Sequence, residues 1–404
     1  MSGEPRASHI VGGEALHPGD APQPGNVIVA RAPGKLYIAG EYAVVEPGEP
    51  AILIAVDRYL TVTLRASSEA GRIHSSAYGE QPIIWRRDDD ESIVVEHSST
   101  DYVVSAISVL ERLRAERGLA PRYFDLSIES DLIDESGRKL GLGSSGAVTV
   151  AVVSAVNDFY GLRLSRFDIY RVALLATILI SPKASGGDLA AISHGGWIRY
   201  SAPDRFALRQ MLEQRSVTDT LENGPWDGLV IEPIEAPTDL DVIIGWTGSP
   251  ASTERLVDEV RRPGRDEDRD AQYARFVAQS RELVEELHEQ LLERPSDARA
   301  SIRQARALLQ NLGAVVGQRI ETEALAILAD IAEDHGAAGK SSGAGGGDCG
   351  IVLAPASADT AAIRTAWQAA GITPLNFAVA PAFETRGGRG DAISSATRKV
   401  EHAR

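Results

Sequence analysis

One glycine- and serine-rich stretch, residues 141–147, constrains this chain more than any other part of its sequence. It reads Gly-Leu-Gly-Ser-Ser-Gly-Ala and separates a predicted strand, residues 123–130, from a predicted apolar helix, residues 147–160. Glycines let a backbone approach a ligand closely, and two hydroxyls with the N–H groups of a helix start form an anion site. It is not a Walker A loop, because no Lys-Ser or Lys-Thr follows its last glycine. This first glycine loop therefore predicts a triphosphate site of another kind, the alternative being a plain turn before a buried helix.

The composition excludes several classes of protein. The 404 residues are 43% hydrophobic and 24% charged, as in ordinary globular enzymes, and the length favours two packed domains. A formal net charge of −16 argues against nucleic acid or an anionic membrane as the main partner. The single cysteine, Cys349, excludes an internal disulfide and fits a reducing cytoplasm. Because residues 1–25 lack a signal or anchor pattern and no run approaches ~18–20 apolar residues, we expect a cytoplasmic enzyme.

Lysine is rare in this chain, and its placement is informative. The 41 basic residues include five lysines, so arginine is the usual cation. Four of the five lie in or beside Gly/Ser-rich stretches: Lys35, Lys139, Lys183 and Lys340. A lysine is a compact charge with three donors, suited to reaching between phosphates, whereas arginine is a planar fork. This distribution suggests a polyphosphate-binding protein.

The pattern of elements predicts an α+β fold, because strands and helices mix without a regular βαβ rhythm. We expect a disordered tail over residues 1–25, an N-terminal lobe over 26–225, a C-terminal lobe over 226–384 and a loose tail over 385–404. The predicted strands are 26–31 (ended by Pro33-Gly34), 51–56, 59–64, a strand or hairpin over 72–85, 123–130, 197–200, 241–246, 351–354 and 375–379. The predicted helices are 101–117 (capped by Asp101), 147–160, 164–180, 254–261, 271–292, 297–309, 320–335 and 359–369.

Three segments, in this order, resemble the GHMP kinase superfamily. They are Pro33-Gly34-Lys35-Leu36 with Gly40-Glu41-Tyr42, the first glycine loop, and a second glycine loop over residues 339–350. The resemblance covers residues 27–383. Two further stretches, residues 183–188 and 245–253, are similar to phosphomevalonate kinases. The resemblance implies two lobes, the first of ribosomal-protein-like α+β type and the second ferredoxin-like, with the site between them.

The resemblance also implies a reaction. ATP and Mg²⁺ would be the cofactors, and the γ-phosphoryl group of ATP would pass to mevalonate 5-phosphate, giving mevalonate 5-diphosphate and ADP. Mevalonate kinase and diphosphomevalonate decarboxylase, of the same superfamily, are the nearest alternatives. A non-catalytic nucleotide or sugar-phosphate sensor on the same fold is the alternative of another class. We expect a monomer or a homodimer.

Two residues match the catalytic positions of the superfamily. Lys35 is expected to stabilise charge between the two phosphates. Asp188 could act as a general base. The second pKa of a phosphate monoester is about 6, so this acceptor is already charged at neutral pH. We therefore expect Asp188 to position Lys35, metal or substrate more than it removes a proton, the alternative being a helix N-cap.

The remaining candidate residues bind ligands in this interpretation. ATP phosphates are assigned to Lys139, Gly141, Gly143, Ser144, Ser145 and Gly146. Either serine could face Mg²⁺, and Ser145 is the one assigned; Glu41 is a possible acidic ligand. The substrate is assigned to Lys183, Ser185, Gly186, Ser249, Ser252, Thr253, Ser342, Gly343, Ala344 and Gly345.

Several of these residues have alternative roles. Helix capping also explains Ser249, Ser252 and Thr253. Ser341 and Ser342 should open an anion nest in the second glycine loop, with Lys340 adding charge. The alternative is a flexible glycine linker, but a loop between a helix and a strand is costly to order unless a ligand orders it.

Four further expectations concern residues around these loops. Gly146 and Gly187 are expected to loosen the backbone. Asp348 and Cys349 are expected to be structural, the first in a turn and the second buried at the start of a strand. The histidines have no metal-ligand spacing, so no zinc site is expected.

Overall fold

We describe a computed structural model of the chain, which covers residues 27–76, 79, 81–89, 91–95, 101–249, 256 and 267–383. The predicted tails, 1–25 and 385–404, lie outside the described residues. So do Ser252 and Thr253, together with all of the predicted helix 254–261 except Leu256. In the described part of the chain, no helix is long and apolar enough to cross a membrane.

The secondary structure mixes strands and helices along the whole chain. The strands are β1 (Ile28–Ala39), β2 (Pro50–Ser67), β3 (Gly71–Ser75), β4 (Ile83–Arg87), β5 (Ile93–Val95), β6 (Tyr123–Ser130), β7 (Trp197–Ser201), β8 (Val230–Ile234), β9 (Leu240–Trp246), β10 (Ala338–Ser341), β11 (Cys349–Pro355) and β12 (Thr373–Leu375). The helices are α1 (Tyr102–Glu116), α2 (Ser144–Tyr160), α3 (Arg166–Ile180), α4 (Gly187–His194), α5 (Arg205–Gln214), α6 (Val217–Asn223), α7 (Glu267–Glu293), α8 (Ala298–Val316), α9 (Glu323–Asp334) and α10 (Thr360–Ala369).

Two sheets organise the two lobes. In the N-terminal lobe the order is β5-β4-β3-β6-β2-β7-β8, and β1 pairs antiparallel with β2. Only β3 and β6 pair in parallel among the described strands of this sheet. In the C-terminal lobe the order is β10-β11-β9-β12, with antiparallel pairing throughout the described strands. This confirms the expected α+β class with two lobes.

Helix α2 lies at the centre of the N-terminal lobe. It packs against β1 and β2 and also against α1, α3 and α4. Such a position requires a helix that is apolar on nearly every face, and most of its side chains are buried. The predicted apolar run after the first glycine loop therefore forms the core, and the loop itself lies where that core meets the second lobe.

Several predicted boundaries differ from the structure; helix α8, for example, continues to Val316 beyond the predicted end at residue 309. Strand β1 continues through Pro33-Gly34, because a register shift between these residues absorbs the irregularity as a bulge. The two predicted strands over 51–56 and 59–64 form the single long strand β2. The last strand, β12, ends at Leu375, and beyond it Val379 makes only an isolated bridge to Val56.

The predicted lobe border, between residues 225 and 226, falls before the last strand of the first sheet. Strand β8 pairs with β7 over Val230–Ile234, so it belongs to the first sheet. Strand β9, which begins at Leu240, belongs to the second sheet. We propose that the border lies in residues 235–239.

Candidate active site

The first glycine loop ends at the start of α2. Gly143 is the N-cap residue and has a φ of 81°, in the left-handed region that favours glycine. Ser144 and Ser145 are the first two residues of the helix. The first turn of a helix presents N–H groups that have no partner within the helix, together with the positive end of its dipole. The two serines therefore lie at the start of the helix, next to its free N–H groups, as the sequence predicts.

Lys35 is attached to the same loop. Its backbone N–H donates to the carbonyl of Leu142 at 2.9 Å, which joins β1 to the first glycine loop. Its side chain passes over Gly143 so closely that a Cβ at Gly143 would lie 2.9 Å from the Lys35 Cε. The half-buried lysine therefore reaches the helix start, and glycine at 143 makes room for it.

Asp188 reaches the same helix start from α4. Its carboxylate lies against Gly146, where an added Cβ would be 2.7 Å from Oδ2. Burial raises the pKa of the Asp188 carboxyl above its ordinary range, and the nearby Lys35 ammonium opposes this rise. The N-cap of α4 is Gly186, so the capping alternative for Asp188 is wrong. Lys35, the first glycine loop and Asp188 form one cluster.

The expectation that Gly146 and Gly187 loosen the backbone stays a prediction, but the structure shows that both positions are tightly packed. A side chain at Gly146 would meet the Asp188 carboxylate, as given above. A Cβ at Gly187 would lie 2.5 Å from the hydroxyl of Tyr37. Both glycines permit close packing around Asp188.

The second glycine loop is held by contacts with the rest of the protein. The Ser342 hydroxyl donates to the Tyr37 carbonyl at 3.0 Å and accepts from the Tyr37 N–H at 2.9 Å. The Tyr42 hydroxyl donates to the Ala344 carbonyl at 2.5 Å. Farther along, the Gly346 N–H donates to the Ile320 carbonyl at 2.7 Å. The expectation that this loop needs a ligand to order it is therefore wrong.

The end of the second loop contacts the first. A Cβ at Gly141 would lie 2.6 Å from the Asp348 side chain, so the two glycine loops touch across the lobes. The Asp348 carbonyl accepts from the N–H and the hydroxyl of Thr247, both at 3.0 Å. Cys349 is buried at the start of β11, and its Sγ donates to the Leu140 carbonyl at 3.0 Å. The structural roles expected for Asp348 and Cys349 are confirmed.

Lys340 and Glu41 do not have the roles that the sequence suggested. Lys340 is fully buried on β10, and its ammonium forms an ion pair with the equally buried Glu41. It also donates to the Ser341 carbonyl at 2.6 Å. Lys340 therefore does not add charge to an anion nest, and Glu41 is not a metal ligand, because each neutralises the other across the two lobes.

The other predicted residues lie around this cluster in different settings. Lys139 and Lys183 are exposed, and Ser249 is exposed with its carbonyl accepting from the Asp348 N–H at 2.7 Å. Gly343 has a φ of 77° and faces open space. Ser185 and Gly186 form the turn before α4. Ligand contacts of all these residues stay predictions.

Sequence reasoning missed Tyr37, although it stands inside the motif that carries Lys35. The two residues are two apart on β1, so they share one face of the strand. The Lys35 Nζ lies over the Tyr37 ring, 5.4 Å from its centroid. The period of two was the signal that could have identified it.

A separate cavity of ≈ 420 Å³ lies at the C-terminal ends of the neighbouring strands β3 and β6. Its lining includes His74, Gln81, Ser127 and Ser130, and it contains none of the predicted site residues. Within the described residues, no group of three His, Cys, Asp or Glu side chains is placed to hold a metal ion.

Comparison with known proteins gives two family matches. Residues 101–196 match the GHMP kinases N terminal domain, and residues 283–373 match the GHMP kinases C terminal domain. The first match includes the first glycine loop and Asp188, and the second includes the second glycine loop.

Individual relatives match nearly their whole length. A phosphomevalonate kinase from Streptomyces sp. (strain CL190) is 45% identical over 372 residues, covering 88% of this chain and 98% of the relative. The crystal structure of a Lin0012 protein from Listeria innocua has a TM-score of 0.81 at 35% identity, covering 87% of this chain and 98% of that one. The structure of the Streptococcus pneumoniae phosphomevalonate kinase in complex with phosphomevalonate and AMPPNP has a TM-score of 0.75 at 30% identity, covering 87% of this chain and 99% of that one.

Proposed function

This chain belongs to the GHMP kinase family, and we propose on that premise that it is a phosphomevalonate kinase. The reaction is transfer of the γ-phosphoryl group of ATP to (R)-5-phosphomevalonate, giving (R)-5-diphosphomevalonate and ADP in isoprenoid precursor synthesis. The observation that carries the proposal is the convergence of Lys35, Asp188 and the start of α2 in a chain 45% identical to a phosphomevalonate kinase.

The main difficulty of this reaction is electrostatic, because two anions must approach each other. Phosphoryl transfer depends mostly on positioning and on stabilising charge on the transferred group. In our proposal the N–H groups and hydroxyls at the start of α2 hold the ATP phosphates. The Lys35 ammonium stands between the γ-phosphate and the acceptor phosphate, where it offsets their repulsion. Gly343, which borders open space, lies on the substrate side.

Magnesium fits the residues of the cluster. Mg²⁺ prefers oxygen ligands and is usually held by one or two carboxylates together with substrate phosphates. Ser145 on α2 and the nearby Asp188 on α4 supply such oxygens. The Glu41 carboxylate, by contrast, is paired with the Lys340 ammonium. When bound, Mg²⁺ would neutralise charge on the ATP phosphates.

The proposal is tested by offering three acceptors to the purified protein. ATP is supplied with mevalonate, mevalonate 5-phosphate or mevalonate 5-diphosphate, and release of ADP and CO₂ is followed. We expect rapid ADP release only with mevalonate 5-phosphate, and no CO₂. A preference for mevalonate would indicate mevalonate kinase, CO₂ with the diphosphate would indicate the decarboxylase, and no ADP with any acceptor would indicate a sensor.

Asp188 is expected to position rather than to remove a proton. The acceptor oxygen is already ionised above a pH of about 6, so no strong base is needed. Asp188→Asn should therefore lower kcat yet keep more than about a thousandth of it, the scale of a base contribution. The measurement is kcat between pH 7 and 9. A residual rate below that level at every pH up to 9 would assign the base role to Asp188.

We also propose that the protein acts in the cytoplasm as a monomer or homodimer. The buried, reduced Cys349 is consistent with that compartment.

A further inference from the structure

The hydroxyl of Tyr37 contacts the turn that leads into α4. It lies 3.0 Å from the Ser185 Oγ, and that oxygen also accepts from the Gly187 N–H at 3.3 Å. The close approach of the hydroxyl to Gly187 leaves no room for a side chain there. Asp188 is the next residue, so the hydroxyl of Tyr37 rests on the turn that carries the Asp188 carboxylate.

The ring of Tyr37 faces Lys35. The Lys35 ammonium lies over the ring at a distance that allows a cation–π interaction. The ring is also nearly inaccessible to solvent, which strengthens such an interaction. One side chain therefore supports Lys35 with its ring and the Asp188 turn with its hydroxyl.

The main chain of Tyr37 contacts the second lobe. Its N–H and carbonyl both bond to the Ser342 hydroxyl, as described above. Tyr37 therefore contacts Lys35 and the second glycine loop directly, and it contacts the turn that precedes Asp188.

We propose that Tyr37 is a positioning residue that fixes the Lys35 ammonium relative to the Asp188 carboxylate. The inference rests on the proposed function, because it concerns the geometry in which Lys35 meets the two phosphates. Tyr37 itself touches neither phosphate in this proposal. Burial, together with the charge of Asp188, raises the pKa of the Tyr37 phenol well above its ordinary range, so the hydroxyl stays protonated in its contact with Ser185.

The first test removes only the hydroxyl. Tyr37→Phe keeps the ring beneath Lys35 and loses one hydrogen bond, so the single-turnover rate should fall about three- to tenfold. The KM for ATP and the KM for the acceptor should stay within about twofold, because no ligand contact is lost. Ser185→Ala removes the same bond from its other end, and the double variant should be no slower than the slower single variant.

The second test uses the close contact at Gly187. Gly187→Ala should displace the turn and lower the single-turnover rate, because its Cβ would lie 2.5 Å from the Tyr37 hydroxyl. In the Tyr37→Phe background that oxygen is gone, and the nearest remaining atoms lie 3.3 Å away. The double variant should therefore be faster than Gly187→Ala alone. A role in stability alone would not give this recovery of rate.

Tyr160→Phe is the matched control. Its buried hydroxyl donates to the Glu111 carboxylate at 2.6 Å and accepts from the Arg122 N–H at 3.2 Å, at the opposite end of α2 from the first glycine loop. We expect its single-turnover rate to match that of the wild type. The inference is overturned if Tyr37→Phe is as fast as the wild type, if it changes only a KM, if Tyr160→Phe is equally slow, or if Gly187→Ala is not rescued.

The two proposals fail in different ways. The wild-type rate with mevalonate 5-phosphate tests the function, whereas the ratio of variant to wild-type rate tests the inference. If the wild type uses another of the three acceptors, the same ratios are measured with that acceptor.

Discussion

Replacing Lys35 with methionine is expected to lower kcat about a thousandfold, the scale of losing one preorganised donor to a developing charge. The reason is the place of its ammonium, which reaches the start of α2 beside Asp188. Methionine keeps an unbranched stem of similar length over Gly143 but carries no charge. The effect should appear in kcat more than in the KM for ATP, because the charge is needed most when the two phosphates approach.

Lys35→Arg is the control for charge alone. Arginine keeps the charge, but its planar guanidinium is wider than a lysine ammonium and fits less well between two phosphates. We expect its kcat to lie between those of Lys35→Met and the wild type. If Lys35→Met keeps more than about a tenth of the wild-type kcat, Lys35 does not stabilise the transferred group.

Replacing Lys340 with methionine is expected to destabilise the fold by about 3–5 kcal/mol, the usual cost of leaving one member of a buried ion pair alone. Its partner Glu41 has a relative side-chain exposure of only 3%. The Glu41 carboxylate would then be buried without its cation at the junction of the two lobes. Urea unfolding measures the loss as a shift of the midpoint at constant slope.

Two controls define that result. Lys340→Met combined with Glu41→Gln removes both charges and should regain much of the stability, because no unpaired charge remains buried. Arg209→Ala breaks an exposed pair with Glu213, 3.0 Å long on α5, and should cost less than about 1 kcal/mol. A loss below about 1 kcal/mol for Lys340→Met would show that the buried pair does not hold the lobes.

The local chemistry of the site was predictable because it depends on short spacings. Glycine at 143 and serines at 144 and 145 predict a helix start with the N–H groups and hydroxyls that suit an anion, and the structure places these residues at the start of α2. These features need only residues close together in sequence, and the structure confirms them as local elements. Helix α4, by contrast, was not among the predicted helices, although Asp188 after two glycines stands in its first turn.

The roles of Lys340 and Glu41 were not predictable in the same way. Lys340 pairs with a residue 299 positions earlier, and sequence spacing does not reveal such a contact. A lysine in a glycine-rich loop looks like a phosphate ligand until the pairing of β10 with β11 places it in the interior. The close packing at Gly146 and Gly187 was not predictable for the same reason, because the atoms beside them come from other elements.

The central claim is that ATP and the acceptor phosphate meet at Lys35. The most direct measurement is a crystal structure of the protein with a non-hydrolysable ATP analogue and mevalonate 5-phosphate. The account predicts the triphosphate at the start of α2, with the γ-phosphate and the acceptor phosphate each about 3 Å from the Lys35 Nζ. A triphosphate bound in the separate cavity beside His74 and Ser127, with neither phosphate in contact with Lys35, would contradict it.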